Sequence, residues 1–295
     1  MITYQFSDQI TIDWLVKKMS QFLFPDLSKQ QTRIKKPFIG VLAIQNRQPI
    51  GLILASSEST QTIYRIHSFL VHPSFRQQKI GSHLVQQLEQ HIQQRGGKKV
   101  EGMYRSHWKS VLFIQQILQQ QGWTEPKAKL IMANGKAADA LAYFGKSSPL
   151  FNTFTFLSFT QMENSDLEFI QQKQTSTQWF APELHPLTAQ STIHPACSFL
   201  LKKEKEIIGW IVSHHLQADL NEITAFFIDK KYSSYKLAYR MIQLVLTKQL
   251  ALGIPKFLAT SKMDGNPVAK LIERGGKVTD VFCTKGVYSS KQLKY

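Results

Sequence analysis

The chain has 295 residues, of which 43% are hydrophobic, and its 36 Lys and Arg side chains outnumber 20 Asp and Glu, for a net charge of +16. That length accommodates one large domain or two of roughly 150 residues, each with its own core. Ordinary apolar content excludes a disordered or collagen-like chain, and a pair of cysteines excludes a disulfide scaffold. So few cysteines are typical of a reducing compartment, and a cytoplasmic location is expected.

The distribution of charge favours an anionic partner. Residues 1–148 hold 19 basic and 8 acidic side chains, whereas residues 149–295 hold 17 and 12. The excess in the first half suits a phosphorylated cofactor, a nucleic acid or an acidic surface. No apolar run reaches the ~18 residues of a membrane span, so no membrane partner is expected.

The first half of the chain predicts a mixed sheet flanked by helices. In chain order, apolar alternation and turn residues indicate a helix-bearing start, a hairpin over residues 38–55, a strand at Ile63–Val71, a helix, a strand at Lys99–Tyr104, a helix at Trp108–Gln121 and a last strand after Gly122. The helix that follows the strand at Ile63–Val71 shows the clearest pattern. It has apolar residues every four positions and ends at a glycine: Ile80, Leu84, Leu88, Ile92 and Gly96.

An internal repeat relates the two halves at an offset of 157 residues. Ile63–Lys99 aligns without a gap on Leu220–Lys256, and each copy has a β-rich run, a polar turn and an amphipathic segment that ends at a glycine. The fold class is therefore predicted to be α/β (α+β), with two tandem domains at 1–148 and 149–295. Each would be a mixed, mostly antiparallel sheet with helices. The β-rich segment Phe151–Phe159 fits either sheet.

The run from Phe69 to Ser82, FLVHPSFRQQKIGS, resembles the Gcn5-related N-acetyltransferase (GNAT) superfamily. In that family a strand ends in a Val-x-Pro-like turn, and R-x-x-G-x-G/A then opens a helix. Arg76, Ile80 and Gly81 match the pattern, and Lys79 stands in place of its first glycine. The resemblance covers most of residues 1–135, and the degenerate second copy makes the chain look like a tandem acetyltransferase.

The resemblance implies acetyl-CoA as the acetyl donor. Its pantothenate arm would add like a strand beside Phe69, Leu70 and Val71. Its pyrophosphate would lie at the turn and helix start formed by Arg76, Gln77, Gln78, Lys79, Ile80, Gly81 and Ser82. A helix N-terminus suits a pyrophosphate on physical grounds alone, because it presents unpaired N–H groups and about half a positive charge. The alternative is a solvated turn in which Gly81 only packs closely.

Acetyl transfer to an amine needs a base, because an alkyl ammonium group has a pKa near ~10.4. The candidate is His67, which lies four residues before Val71, where some family members carry a catalytic histidine. Strand alternation predicts that His67 shares a face with Phe69 and Val71. A buried structural histidine is the alternative. Leu118 stands where the family's usual tyrosine acid would be, so no indispensable protein acid is predicted.

The second copy lacks the residues of the phosphate turn. Its segment Ser233–Ala238 contains neither glycine nor arginine, so we expect a structural or substrate-shaping domain that does not bind acetyl-CoA. No zinc-ligand spacing is present and no metal is predicted. The basic surface shows no pattern typical of specific nucleic-acid recognition.

Three functions remain open on this sequence. The first is an N-acetyltransferase for a primary amine of a small molecule or a protein. The second is a catalytically silent tandem module that binds an acyl-CoA or a polyanion. The third, an aminoacyl-tRNA-dependent transferase, is known on paired domains that resemble these. The oligomeric state is also open, a homodimer included.

Overall fold

The computed structural model describes residues 1–23, 37–57, 62–144, 153–232, 235–263, 267–278 and 280–293. It divides into two compact units: unit 1 comprises Met1–Ala128 and Gly286–Tyr295, and unit 2 comprises Lys129–Lys285. The strands are β1 Ile2–Ile10, β2 Phe38–Gln45, β3 Gln48–Ser57, β4 Ile63–Val71, β5 Lys99–Arg105, β6 Lys127–Lys136, β7 Phe154–Ser158, β8 Phe199–Lys203, β9 Glu206–Gln217, β10 Leu220–Ile228, β11 Lys256–Lys262 and β12 Phe282–Gln292.

Seven α-helices accompany these strands within the described ranges. They are α1 Ile12–Met19, α2 Ile80–Gln94, α3 Val111–Gln120, α4 Ala137–Phe144, α5 Asn164–Thr177, α6 Tyr235–Ala251 and α7 Pro267–Val278. None of the helices described is long and apolar enough to cross a membrane.

Unit 1 contains a mixed sheet in the order β1-β2-β3-β4-β5-β12. All neighbours are antiparallel except β4 and β5, which are parallel. Helix α2 packs on one face through its four-residue apolar spacing, with Leu84 and Ile92 fully buried. Gly96, at φ 78°, ends this helix in the left-handed conformation that glycine adopts at little cost. Leu15 of α1 and Phe22 belong to the core on the other face.

Unit 2 repeats this plan in the order β7-β8-β9-β10-β11-β6, with β10 and β11 parallel. Its parallel pair begins at Leu220 and Lys256, each 157 residues after its counterpart at Ile63 and Lys99. The repeat and the fold class predicted from the sequence are thus confirmed. The segment around Phe156, which the sequence left undecided, pairs with β8 and so belongs to unit 2.

The division of the chain differs from the predicted boundary between residues 148 and 149. Strand β6, from the first half, pairs with β11 of unit 2, whereas residues 286–292 of β12, from the second half, pair with β5 of unit 1. The two last strands are equivalent by the repeat, because Lys136 lies opposite Lys256 and Gln292 opposite Lys99. Equivalent strands satisfy the hydrogen bonds of either edge, so the local sequence pattern does not determine which edge each one joins.

Side chains also anchor β12 in unit 1. Glu89 of α2 is buried and accepts hydrogen bonds from Trp123 Nε1 and Lys291 Nζ, each at 2.6 Å. Val287 and Leu293 are 7% and 8% exposed and join the core beneath α2. Burying two such side chains stabilises a unit by roughly 3–6 kcal/mol.

Unit 1 should therefore require residues 286–295 to fold stably. We expect a chain of residues 1–128 joined by a glycine–serine linker to residues 286–295 to melt at a higher temperature than residues 1–148 alone. Thermal unfolding followed by circular dichroism measures this. If residues 1–148 are the more stable of the two, the last strand of unit 1 has been assigned to the wrong segment.

Candidate functional site

The parallel strands of unit 1 separate soon after they begin. Strand β4 pairs with β5 from Ile63 opposite Lys99 to Ile66 opposite Gly102, and among the described residues none pairs with the rest of β4 on this side. On its other side β4 stays paired with β3 as far as Val71. The backbone of residues 67–71 is therefore open to an added extended chain.

A β-bulge at His67 marks the separation. Ser68 lies opposite Leu54 and Ile66 opposite Ala55, so His67 is an extra residue on β4. A bulge bends its strand and increases the local twist, which here accompanies the departure of β4 from β5.

A cavity of about 510 Å³ lies beyond this point, between the end of β4, the following loop and α3. Its volume is in the range of small-molecule sites. The lining residues are Phe69, Leu70, Val71, Phe75, Arg76, Gln77, Lys79, Ile80, Gly81, Ser82, Lys109, Ser110, Phe113, Ile114, Gln116, Ile117 and Gln120.

The cavity is suited to a polyanion. Three cationic side chains line it, those of Arg76, Lys79 and Lys109, and no carboxylate does among the lining residues described. The amides of residues 77–82 make no backbone hydrogen bond within the described part of the chain. They lie at the N-terminus of α2, where the helix dipole adds partial positive charge.

Two residues of the loop before α2 adopt the left-handed backbone conformation. Gln77 has φ 63° and Lys79, the N-cap of α2, has φ 59°. This conformation costs a non-glycine residue roughly 1–2 kcal/mol. Arg76 braces the loop, because its Nε donates to the carbonyl oxygen of Val71 at 3.2 Å.

Gly81 lies in close packing. A Cβ at this position would lie 2.9 Å from Ile117 Cδ1 and 3.2 Å from Phe69 Cζ, so a larger residue requires these two side chains to shift. Glycine therefore favours the close approach of α2 to Phe69 of β4 and Ile117 of α3. Gly81 also lines the cavity, so close packing and a place beside the ligand site occur together at this position.

The predicted orientation of His67 is wrong, and the bulge is the reason. Phe69 and Ile66 belong to the core on the α2 face, whereas the His67 ring lies edge-on to Phe38, which belongs to the core on the opposite face. The extra residue places His67 and Ser68 on the same side of the sheet. His67 therefore does not line the cavity but lies on the other side of the gap beside β4.

Burial, with a smaller contribution from the charge of Arg65, lowers the pKa of the His67 imidazole to about 4. The ring is therefore neutral at neutral pH, because this value lies well below the ~6.5 of an unperturbed histidine. Its Nε2 is 2.7 Å from Ser56 Oγ, which fixes the orientation of the ring.

Unit 2 contains a related separation of two parallel strands. Strand β10 carries a bulge at Thr224, the residue 157 positions after His67, and its pairing with β11 ends at Ile223 opposite Ala259. Ser233 and Ser234, part of the turn predicted to be degenerate, lie outside the described residues. Lys236 is exposed on the first turn of α6.

Comparison with known proteins identifies the fold around this cavity. Residues 7–104, which include all of β4 and α2, match the acetyltransferase (GNAT) family. The match covers 98 of the 295 residues and lies within unit 1. No curated protein matches the sequence.

Solved structures extend the GNAT fold to the whole chain. A tandem GNAT protein from the clavulanic acid biosynthesis pathway is 9% identical, with a TM-score of 0.67 over 99% of both chains. A GCN5-related N-acetyltransferase from Sphaerobacter thermophilus is 15% identical, with a TM-score of 0.64 over 100% of this chain and 96% of its own. A glucosamine N-acetyltransferase region of a fungal β-N-acetylglucosaminidase is 10% identical, with a TM-score of 0.67 over 98% of this chain and 38% of its own.

The structure brings most of the predicted cofactor residues of the GNAT motif together. Nine of the ten line one cavity, and Gln78 does not. Sequence reasoning missed the α3 side of the site, which includes Lys109, Phe113 and Ile117. The sequence carried no signal for this side, because Phe113 stands out only once the structure shows it 55% exposed at the start of α3. Tyr104, at the end of the predicted strand Lys99–Tyr104, is buried beside Ser289 and does not line the cavity.

Lys79→Gly should stabilise the protein. Glycine adopts φ 59° without the steric cost that lysine pays, and we expect a gain of about 1 kcal/mol in the free energy of unfolding. The same change removes a cation from the cavity and should weaken binding of a phosphorylated ligand. Gln78→Gly is the control, because Gln78 has no positive φ and the extra backbone freedom should destabilise the protein by roughly 0.4–1 kcal/mol. Urea unfolding of the wild type and the two variants measures both changes in stability. A loss of stability in Lys79→Gly contradicts the strained loop.

Proposed function

We propose that this protein is an acetyl-CoA-dependent N-acetyltransferase in which unit 1 transfers the acetyl group to a primary amine of a small molecule or a protein. One observation carries the proposal: a cationic cavity without carboxylates, at a helix N-terminus, adjoins the open edge of β4. A long ligand with a phosphorylated end and an amide-rich arm matches that combination of surfaces.

The chain's residues divide the binding of acetyl-CoA between them. The amides of residues 77–82, with Arg76, Lys79 and Lys109, would hold the pyrophosphate. The open backbone of Phe69, Leu70 and Val71 would pair with the pantothenate arm, which makes no demand on their side chains. Bound acetyl-CoA would supply an acetyl thioester whose thiol, with a pKa near ~8.5, leaves without an obligatory protein acid.

His67 would act as the base from the other side of the gap. If its Nε2 donates to Ser56 Oγ, Nδ1 keeps a lone pair that can accept a proton from the acceptor ammonium, directly or through water. Burial lowers the pKa of the His67 ring to about 4, which keeps the ring neutral at neutral pH and also makes it a weaker base than an exposed histidine. Its position opposite the cavity suits an acceptor amine that approaches from the face away from the cofactor.

Acetyl-CoA should bind unit 1 through its phosphates. Ser82→Glu places a carboxylate in the first turn of α2, where negative charge favours the helix but repels a phosphate. We expect this variant to fold normally and to bind acetyl-CoA at least about tenfold more weakly, by isothermal titration calorimetry. Ser82→Gln adds almost the same bulk without the charge and should lose much less affinity. Equal affinity in all three proteins contradicts the phosphate site.

Loss of His67 should damage chemistry more than cofactor binding. His67→Gln removes the base, and we expect turnover to fall by about 10²–10⁴-fold with acetyl-CoA affinity nearly unchanged. Because the pKa of His67 is about 4, protonation of this base should reduce wild-type turnover only as the pH falls below about 5, not through neutrality. Turnover of both proteins against pH tests this, and a variant with the wild-type rate and profile makes His67 structural.

Unit 2 would be structural or would shape the acceptor site, without binding acetyl-CoA. Binding and acetylation assays on the full chain distinguish the two other functions. A silent module binds acetyl-CoA but acetylates none of a panel of amines. An aminoacyl-tRNA-dependent transferase binds charged tRNA at physiological salt with discrimination between tRNAs, whereas general basicity gives weak binding that salt abolishes.

A further inference from the structure

Unit 2 contains a second cavity, of about 490 Å³, at the point where β10 and β11 separate. The last paired residues, Ile223 and Ala259, both line it. Ala259 is only partly buried although β11 lies between two other strands of the sheet. The volume of this cavity, like that of the cavity in unit 1, is in the range of ligand sites.

The edge of β10 beyond this point carries backbone groups that point into the gap. Asp229, the residue after β10, donates its N–H to the carbonyl oxygen of Ile208 on β9 at 2.7 Å. Hydrogen-bonded and non-hydrogen-bonded pairs alternate along antiparallel strands, so Phe227 also bonds to β9, whereas Phe226 and Ile228 direct their N–H and C=O groups away from it. Among the described residues, none pairs with these groups on the side of the gap.

Backbone groups two residues apart on a strand edge match an extended polypeptide. Successive residues of a strand are about 3.3 Å apart and direct their backbone groups to opposite edges in turn, so one added strand can pair with both Phe226 and Ile228. In such β-augmentation, main-chain hydrogen bonds supply affinity and pockets for alternate side chains supply specificity. An open edge of β10 beside a cavity provides both elements.

The wall of the cavity on the α6 side is apolar. Phe144, Ile242 and Phe257 line it from the core that contains α6, and Ala140 adds a small side chain to the same wall. Alternate side chains of a strand point to the same face of a sheet, so a peptide paired with β10 would direct every second side chain toward this wall. Apolar side chains at alternate positions therefore suit the site.

A phosphorylated cofactor suits this cavity less well than it suits the cavity of unit 1. Lys262 is the one cationic side chain among the described lining residues, and it is ion-paired with Glu183. The lining described in unit 1 has three cationic side chains and no carboxylate. A pyrophosphate would meet little positive charge here, whereas a peptide with uncharged side chains needs none.

We propose that the gap in unit 2 binds an extended polypeptide segment with apolar side chains at alternate positions, which adds as a strand to β10 at Phe226 and Ile228. Its apolar side chains occupy the cavity on the α6 side. This peptide site goes beyond the proposed acetyl transfer and does not depend on it, because it belongs to unit 2.

Titration calorimetry of the full chain with the uncharged peptide acetyl-Ser-Leu-Ser-Leu-Ser-amide tests the ligand class. We expect saturable binding, and at least about tenfold weaker binding of acetyl-Ser-Ser-Ser-Leu-Leu-amide, which has the same composition without the alternation. Saturating acetyl-CoA should leave the affinity for the first peptide unchanged. The absence of saturable binding, equal affinity for the two peptides, or displacement by acetyl-CoA overturns the proposal.

Amide hydrogen exchange followed by NMR locates the pairing on β10. We expect the bound peptide to slow exchange at Phe226 and Ile228 by at least about tenfold, because new hydrogen bonds protect their N–H groups. Phe227, whose N–H already bonds to β9, is the internal control and should change little. Unchanged exchange at both Phe226 and Ile228 with the peptide bound overturns the proposed pairing.

One variant tests whether the gap between the strands is the site. Ala259→Phe adds bulk beside β10 and should weaken peptide binding by at least about tenfold. Ala218→Phe, the same change in the exposed turn before β10, is the matched control and should bind as the wild type, because Ala218 does not line the cavity. Far-ultraviolet circular dichroism checks the fold of both. Wild-type affinity in folded Ala259→Phe overturns the assignment, and if this variant does not fold, the exchange measurement on the wild-type chain decides.

Discussion

The separation of two parallel strands is the constraint on which the rest of each unit depends. Parallel neighbours normally continue side by side, but here β4 and β5 pair over only four residues. The bulge at His67 interrupts the regular alternation on β4 at that point. Backbone groups that a neighbouring strand would have paired then face an open space. The sheet thus has an unpaired stretch of strand edge, while its hydrophobic core stays intact.

The same separation produces two chemically different cavities in one chain. In unit 1 the space opens toward the loop and N-terminus of α2, and the lining is cationic. In unit 2 the described lining is mostly apolar and includes two carboxylates and one ammonium group. Backbone geometry is shared through the repeat, whereas charge and shape come from side chains that differ between the two copies. A duplicated fold can therefore retain a cavity and change the charges that line it.

Unit 1 also shows how a functional loop departs from the best local sequence. Lysine in a left-handed conformation at position 79 costs stability, yet it adds a cation beside the amides at the start of α2. Gly81 shows the opposite relation, because close packing against Phe69 and Ile117 favours the smallest residue. One loop therefore combines a residue unfavourable for folding with one that packing favours.

Local pattern was enough to predict much of this protein. Apolar spacing and glycine stops predicted α2 and α6, and the repeat predicted a tandem fold with strands beginning at Ile63 and Leu220, because these features depend on neighbours in sequence. The turn from Arg76 to Ser82 could likewise be located, since a helix start is a local event. Strand β1 and helix α4 were not predicted from the sequence.

Three further features depended on tertiary structure. The exchange of β6 and β12 could not be read, because equivalent strands satisfy either edge and only the path of the whole chain selects one. The side of the sheet on which His67 lies was determined by a bulge, which one extra residue creates through pairing with β3. Its lowered pKa and the α3 wall of the cavity follow from burial and from contacts between distant segments. Spacing along the chain predicts neither the pKa of His67 nor the α3 wall of the cavity, because both depend on which residues come into contact in the folded chain.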